Sequence, residues 1–147
     1  MIAAYIMRPH PEVLAPGDTL LGALRLLCGT GSGCAPVVDR DGRLVGVVTT
    51  ESVLDAWAGP TRDVLDAHGM GTVAVERVMD TGFSAVGPET GIKELLRLLS
   101  PEGGGEGGAG RGGGPLAVVD DGGRLLGLIG PEDVLKRIWE YTERERR

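Results

Sequence analysis

The sequence is poor in aromatic residues, in cysteine and in long hydrophobic runs. Only 3% of its 147 residues are aromatic, so a hydrophobic core must be built mainly from Leu, Val, Ala and Met. Its two cysteines are too few for a disulfide framework. No apolar run approaches the roughly 18 residues that span a bilayer, and no secretory leader pattern is present. These absences predict a cytoplasmic chain without membrane contact.

Basic charge is also scarce, which argues against a nucleic-acid partner. The formal net charge is −6, whereas binding to a phosphate backbone depends on clustered Lys and Arg. The candidate metal ligands His10, His68, Cys28 and Cys34 have no recognised spacing, so we expect no metal site. Cys28 is interpreted instead as a small core residue. No set of nucleophile, base and orienting group is visible, which predicts a non-enzymatic protein.

The main feature present is an internal repeat. Val37–Leu54 reads VVDRDGRLVGVVTTESVL, and Val118–Leu135 reads VVDDGGRLLGLIGPEDVL. At an offset of 81, ten of the twenty positions from Ala35 to Leu54 are identical. The segments upstream of these hairpins also repeat, at an offset of 72. Such self-similarity indicates a duplicated structural unit.

Each copy is predicted to fold as strand, helix, strand, strand and helix, giving a mixed α/β protein. Apolar spacing, turn residues and capping residues place these elements. In the first copy they lie at 12–14, 19–28, 35–38, 44–48 and 50–57. In the second copy they lie at 84–86, 90–100, 116–119, 125–129 and 131–143. The predicted core faces of the first helices comprise Leu20, Leu21, Leu24, Leu27 and Cys28 in copy one, and Leu95, Leu96, Leu98 and Leu99 in copy two.

The predicted domain organisation is repeat one at 1–57, a connecting segment at 58–71 and repeat two at 72–147. The connecting segment contains a predicted helical turn at Thr61–Asp66. Repeat two carries a Gly-rich insertion at 101–115, which composition predicts to be flexible and dispensable for folding. Its Gly105, Gly107 and Gly110 match a dinucleotide fingerprint formally, but the required strand before and helix after are absent from the predicted order. We interpret the segment as a tolerated insertion.

Three sets of residues carry a resemblance to a known family. They are the repeated core VVD-x-x-G-x-L-x-G and the lead-in segments Ile6-Met7-Arg8 and Val78-Met79-Asp80. Together they resemble a stand-alone tandem pair of CBS (cystathionine-β-synthase) domains, also called a Bateman module. The resemblance implies two β-α-β-β-α repeats packed with pseudo-twofold symmetry, two clefts between the repeats, and association into a homodimer.

The resemblance also implies a ligand motif, from which this sequence departs in both copies. In the family, a Ser or Thr at a helix start meets a nucleotide phosphate, and an Asp or Asn three positions later accepts the ribose hydroxyls. Repeat one keeps Thr49 but has Ser52 at the acidic position. Repeat two keeps Asp133 but has Gly130 at the hydroxyl position, and Pro131 lacks an N–H group. We expect unequal clefts, dominated by Asp133.

The implied binding residues come from both repeats. The cleft at Asp133 comprises Asp133, Gly130, Ile129, Met7, Glu12, Ser32 and Gly33. The cleft at Thr49 comprises Thr49, Ser52, Val48, Met79, Ser84, Gly113 and Gly114. For the equivalent residues Met7 and Met79, core packing is favoured over ligand contact.

Two functions remain open from the sequence. The first is a regulatory sensor that binds an adenosine-containing ligand such as AMP, ATP or S-adenosylmethionine and signals to an unknown protein partner. The alternative is a ligand-free pair that acts in dimerisation or protein interaction. The incomplete ligand motifs separate these two functions, because a complete motif would favour the sensor.

Overall fold

The computed structural model describes residues 1–30, 33–59, 62, 69, 71–100 and 115–146. They form two compact units. Unit 1 combines Met1–Pro11 with Gly82–Arg147, and unit 2 is Glu12–Thr81. The lead-in segment of each repeat therefore belongs to the unit that contains the hairpin of the other repeat. Most of the predicted turn at 61–66 and most of the Gly-rich insertion lie outside the described residues.

From Leu20 onward the described helices and strands follow the predicted order, and a helix and a strand that the sequence does not predict lie within the first eleven residues. The helices are α1 (Ala3–Ile6), α2 (Leu20–Thr30), α3 (Thr50–Ala58), α4 (Ile92–Leu99) and α5 (Pro131–Glu145). The strands are β1 (Arg8–Pro9), β2 (Cys34–Val38), β3 (Leu44–Thr49), β4 (Ala85–Val86), β5 (Leu116–Val119) and β6 (Leu125–Ile129). A 3₁₀ turn spans Val75–Arg77. No helix among the described residues is long and apolar enough to cross a bilayer.

Unit 1 contains a four-stranded sheet in the order β1-β6-β5-β4. The pairs β1/β6 and β6/β5 are antiparallel, and β5/β4 is parallel. Its core contains the fully buried residues Leu95, Val118 and Ile129, together with residues of the first helix. The first eleven residues of the chain are thus tied to the second hairpin by a strand and by the helix α1.

Unit 2 repeats this arrangement in reduced form. The hairpin β2/β3 is antiparallel, with Leu14 paired in parallel to Val37 and Asp80 paired antiparallel to Val47. These single bridges stand where β4 and β1 stand in unit 1. A register shift follows Val37 in this hairpin and follows Val118 in the other, so the duplication extends to the irregularities of the ladder.

The hairpin turns are fixed by equivalent aspartates. Asp39 Oδ1 accepts hydrogen bonds from the backbone N–H groups of Asp41 and Arg43, at 2.9 and 3.0 Å. Asp120 Oδ1 accepts from Gly122 and Arg124, both at 2.9 Å. Gly42 and Gly123 both adopt a φ of 82°, a region that favours glycine. Equivalent turns therefore join the two strands of each hairpin.

Some predicted details of the helices and short strands are wrong. The sequence assigns Leu21, Cys28 and Leu96 to buried faces, but all three are exposed, and Ala23 is buried instead. Many alternative leucines lie close together on each helix, and packing selects among them. The predicted strand at 12–14 reduces to one bridge at Leu14, and the strand at 84–86 begins at Ala85.

Each hairpin is packed against a methionine from a lead-in segment. A methyl group added at Gly46 would lie 2.6 Å from Sδ of Met79, and one added at Gly127 would lie 2.7 Å from Sδ of Met7. The glycines therefore leave the space that the two methionine side chains fill. Both methionines pack against the cores of their units. The favoured core-packing role of the two methionines agrees with this geometry.

Gly127→Ala is expected to destabilise the protein by about 1–3 kcal/mol, the usual cost of overpacking. Gly46→Ala is expected to cost less. At Gly127 the added methyl group also meets the backbone carbonyl oxygen of Arg8 at 2.8 Å, which cannot rotate away as a side chain can. Urea unfolding of both variants measures the difference. Equal costs, or a larger cost at Gly46, would contradict this account of the packing.

Candidate functional site

The start of α5 in unit 1 places the carboxylate of Asp133 in a fixed position. Its Oδ2 accepts a hydrogen bond from the backbone N–H of Gly130 at 2.8 Å. The same oxygen accepts a second bond from Nε of Arg8 at 3.1 Å. The Asp133 side chain is only 13% exposed, so it is well ordered by these two contacts. Among the described residues, Oδ1 has no hydrogen-bond partner.

The remaining groups at this helix start do not favour a large negative charge. The N–H of Gly130 is already bonded to Asp133, and Pro131 has none to offer. The Glu132 carboxylate lies over Gly130, where an added methyl group would come 2.8 Å from its Cδ. A phosphate placed beside Gly130 would therefore meet a carboxylate instead of unpaired N–H groups. The helix dipole still favours an anion, but the N–H groups of Gly130 and Asp133 are bonded within the turn.

The start of α3 in unit 2 is closed by two hydroxyl groups. The N–H of Thr49 donates to Oγ of Ser52 at 2.7 Å, and the N–H of Ser52 donates to Oγ1 of Thr49 at 3.0 Å. This reciprocal arrangement is a capping box. The Thr49 hydroxyl also lies 3.2 Å from Oγ of Ser52, to which it donates. To contact a phosphate as a donor, Thr49 must give up that bond.

The two helix starts carry different charges at two pairs of equivalent positions, 8 with 80 and 133 with 52. Arg8 pairs with Leu128 in the same way that Asp80 pairs with Val47, so residues 8 and 80 are structurally equivalent. Residues 133 and 52 are equivalent by the offset of 81. A cation at position 8 thus accompanies the carboxylate at position 133, whereas an anion at position 80 accompanies a serine. A carboxylate at position 52 would share its surroundings with that of Asp80.

This equivalence predicts a thermodynamic coupling between positions 52 and 80. The effect of Ser52→Asp on the free energy of unfolding should be more favourable by about 1 kcal/mol in an Asp80→Arg background than in the wild type. A coupling of this size is within the usual range for neighbouring residues. The reason is that the double change recreates the Arg8–Asp133 pair in unit 2. Urea unfolding of the wild type, both single variants and the double variant gives the coupling energy. A coupling near zero would show that the two positions are not neighbours.

The other predicted site residues are distributed over both units. Ile129 and Val48 are fully buried and are paired within their hairpins, with Leu116 and Ala35 respectively. Gly33 has a φ of 70°, and its carbonyl oxygen accepts from the N–H of Thr50 at 3.2 Å. Glu12 and Ser84 are exposed. Ser32, Gly113 and Gly114 lie outside the described residues.

Arg8 is the site residue that sequence reasoning missed. It contacts Asp133 across 125 positions, so no local pattern connects the two residues. A usable signal was present, however. The lead-in segments align Arg8 with Asp80, and the helix starts align Asp133 with Ser52, so the two charge exchanges can be read together. Within the described residues, no group of three or more His, Cys, Asp or Glu side chains is arranged to hold a metal ion.

Comparison with known families identifies the repeated unit. The model of the CBS domain matches twice, at residues 2–59 and 75–140. The chain belongs to the CBS domain family, and its two repeats form a tandem pair. The resemblance inferred from the repeated motifs is therefore confirmed, and so is the mixed α/β fold with two repeats.

Known proteins with similar sequence or structure include a transporter, a putative acetoin utilization protein and a CBS-pair protein. The magnesium transporter MgtE of Thermus thermophilus is 34% identical over 85 residues, which is 58% of this chain but 18% of the transporter. A putative acetoin utilization protein (AcuB) from Vibrio cholerae has a TM-score of 0.79 at 23% identity, covering 99% of this chain and 96% of that protein. CBSX2 from Arabidopsis thaliana has a TM-score of 0.76 at 23% identity, covering 97% and 96%. CBSX2 has also been crystallised in complex with AMP, with a TM-score of 0.74 at 22% identity over 96% and 98% of the two chains.

Proposed function

We propose that this chain is a non-enzymatic regulatory module that binds an adenosine-containing ligand and transmits the change to a protein partner. Membership of the CBS family supports a regulatory ligand-binding module in general. The AMP complex of CBSX2 supports adenosine as the common part of the ligand. The partner is a protein that responds to occupancy of the module.

The Asp133 carboxylate is the observation that carries this proposal. Gly130 and Arg8 hold one of its oxygens in place, and Oδ1 makes no bond with the described residues. An ordered carboxylate with a spare acceptor suits the paired hydroxyl groups of a ribose. Charge-assisted hydrogen bonds are roughly twice as strong as neutral ones. Ser52, by contrast, offers a neutral hydroxyl that already accepts from Thr49.

The ligand of this site carries little phosphate. Glu132 lies against Gly130, and the first turn of α5 lacks the hydroxyl and one N–H that a phosphate would use. AMP or S-adenosylmethionine therefore suits the site at Asp133 better than ATP. The site at Thr49 contributes less to affinity, because both of its hydroxyl groups are engaged in the capping box.

A thermal-shift screen against AMP, ADP, ATP, S-adenosylmethionine and NAD tests the proposal. A ligand at 100 times its dissociation constant adds about 2.7 kcal/mol to the free energy of unfolding, which raises the melting temperature measurably. We expect AMP or S-adenosylmethionine to give the largest shift. If no adenosine compound shifts the transition at millimolar concentration, the sensor function is wrong.

The second candidate function, dimerisation or protein interaction, is favoured by the exposed apolar side chains of α3 and α5. Leu54 and Leu135 are equivalent in the two repeats, and their side chains are 58% and 65% exposed. Trp139 is 64% exposed. Large apolar patches on a small chain mark interaction surfaces. The proposed assembly is a homodimer, which is compatible with ligand binding and does not replace it.

Light scattering at micromolar concentration tests the homodimer directly. The expected molar mass is twice that of the 15.3 kDa chain. A closed twofold dimer is also the commonest form of homo-oligomer. A mass equal to one chain across this concentration range would rule out the assembly.

A further inference from the structure

Arg8 is held beside the Asp133 carboxylate but uses only one of its donors there. Its Nε atom donates to Oδ2 of Asp133 at 3.1 Å. A guanidinium group carries five N–H donors, and the four on the two Nη atoms of Arg8 make no hydrogen bond with other described residues. The Arg8 side chain is 43% exposed, so these four donors can be reached from solution. Arg8 therefore offers a small ligand a positioned cation with unused donors.

The position of Arg8 is set by its strand as well as by the ion pair. β1 is antiparallel to β6, with Arg8 opposite Leu128 and Pro9 opposite Gly127. The preceding residue, Met7, lies against Gly127 and packs on the core of unit 1. The main chain at Arg8 is thus fixed on both sides, and the side chain starts from a defined place beside α5.

The Arg8–Asp133 pair differs from an ion pair on the surface of the chain. Arg97 pairs with Glu94 within one turn of α4, where the two side chains are 58% and 48% exposed. Surface pairs of this kind usually contribute little to stability. Arg8 instead reaches across 125 positions to a carboxylate that is only 13% exposed. The fold therefore brings this cation to the candidate site itself.

The cation is present at the helix start that lacks a hydroxyl group. In unit 2 the hydroxyl of Thr49 is kept, and the residue equivalent to Arg8 is Asp80. In unit 1 the residue equivalent to Thr49 is Gly130, which has no side chain to donate. The N–H groups of Gly130 and Asp133 are also bonded within the turn. The start of α5 has thus lost donors for an anionic group, whereas Arg8 adds them nearby.

We propose that Arg8 binds the anionic group of an adenosine ligand whose ribose is held by Asp133. This step rests on the function proposed above. The two Nη atoms can donate parallel hydrogen bonds to a phosphate while Nε keeps its bond to Asp133. One cation matches one anionic group, and the Glu132 carboxylate over Gly130 disfavours further negative charge. The ligand class is therefore an adenosine compound with a single phosphate, for which AMP is the probe.

The contact with Arg8 should make AMP bind more tightly than adenosine. Adenosine has the same base and ribose but lacks the phosphate, so the ratio of the two dissociation constants isolates the contact to the anionic group. We expect the wild type to prefer AMP by at least about tenfold, the lower end for a hydrogen bond to a charged group. The preference should weaken at high salt, because Arg8 is partly exposed and its charge is screened.

Calorimetric titration of three variants with AMP and with adenosine tests the proposal. Arg8→Gln removes the charge but keeps an N–H donor for Asp133, and its two dissociation constants should agree to within about threefold. Arg8→Lys restores the charge without the planar group and should recover part of the preference. Arg97→Gln is the matched control, because it makes the same charge change in an ion pair on α4. It should keep the wild-type ratio.

Each result separates the role of Arg8 from the proposed function. If no adenosine compound binds the wild type, both are wrong. If AMP and adenosine bind equally, or neither binds although another adenosine compound does, the function holds and the role of Arg8 is wrong. If Arg8→Gln weakens both compounds equally, Arg8 only positions Asp133, and the contact to the anionic group is wrong.

A preference for AMP that is lost in Arg8→Gln, partly recovered in Arg8→Lys and kept in Arg97→Gln supports the proposal. Urea unfolding checks that each variant is folded before titration. The salt dependence of the wild-type ratio needs no variant, so it tests the proposal even if Arg8→Gln does not fold. A ratio that does not change with salt would contradict a contact between Arg8 and the phosphate.

Discussion

Asp133→Ala is expected to weaken binding of the adenosine ligand by about 1.5–3 kcal/mol, the usual range for a hydrogen bond to a charged group. This corresponds to a loss of roughly tenfold to more than a hundredfold in affinity. The same change removes the acceptor of the Gly130 N–H and the partner of Arg8. We therefore also expect a loss of about 1–2 kcal/mol in the free energy of unfolding, typical of a lost helix cap. The ion pair adds little to that loss, because Arg8 is 43% exposed.

Two further variants separate the binding effect from the structural one. Asp133→Asn can still accept from the Gly130 N–H, so it should keep most of the stability while losing the charge-assisted contact to ribose. Ser52→Ala changes the equivalent position of unit 2. Its loss of binding free energy should be less than half of the loss in Asp133→Ala. Calorimetric titration and urea unfolding measure the two quantities. Equal losses of affinity at Ser52 and Asp133 would overturn the assignment of Asp133 as the main contact.

Leu95→Ala is expected to cost about 2–5 kcal/mol of unfolding free energy, the largest effect on stability considered for this chain. Leu95 is fully buried and packs in the core of unit 1 with Val118 and Ile129. The substitution leaves a cavity that the neighbouring strands cannot easily fill. The adjacent residue provides a matched control, because Leu96 is 45% exposed on the same helix. Leu96→Ala should cost less than about 0.5 kcal/mol, as surface substitutions usually do.

Urea unfolding of the two leucine variants decides whether the observed face of α4 is correct. The sequence assigns both leucines to the buried side, whereas the structure buries only Leu95. A large loss for Leu95→Ala with a small loss for Leu96→Ala supports the structure. Similar losses in both would mean that the helix is rotated or that a partner covers Leu96.

The hairpins were predictable because local chemistry defines them. β5 and β6 have the predicted ends, Leu116–Val119 and Leu125–Ile129. Their turn is set by an aspartate that bonds to the chain two and four residues later and by a glycine with positive φ. Each of these signals lies within five consecutive residues. A repeated local pattern therefore gave both the elements and the duplication.

The strand β1 and the hydrogen bonds of the candidate site could not be predicted from local sequence patterns. β1 has two residues, which is too short to show a periodic pattern, and its partner β6 lies more than a hundred positions away. The Arg8–Asp133 contact depends on that pairing. Motif reading therefore identified Asp133 as a ligand candidate but not the cation that already holds one of its oxygens. The motif also gave no sign that Thr49 and Ser52 bond to each other.

A nuclear magnetic resonance titration of the ¹⁵N-labelled chain tests whether an adenosine compound binds at the start of α5. The titrant is the adenosine compound that gives the largest thermal shift, or AMP if several are equal. Binding at Asp133 should give saturable shifts of the Gly130 amide and of the Arg8 Nε–H resonance, with weaker changes at Thr49. Binding at this site is contradicted if no adenosine compound moves these resonances at millimolar concentration, or if the shifts occur only at residues outside both helix starts.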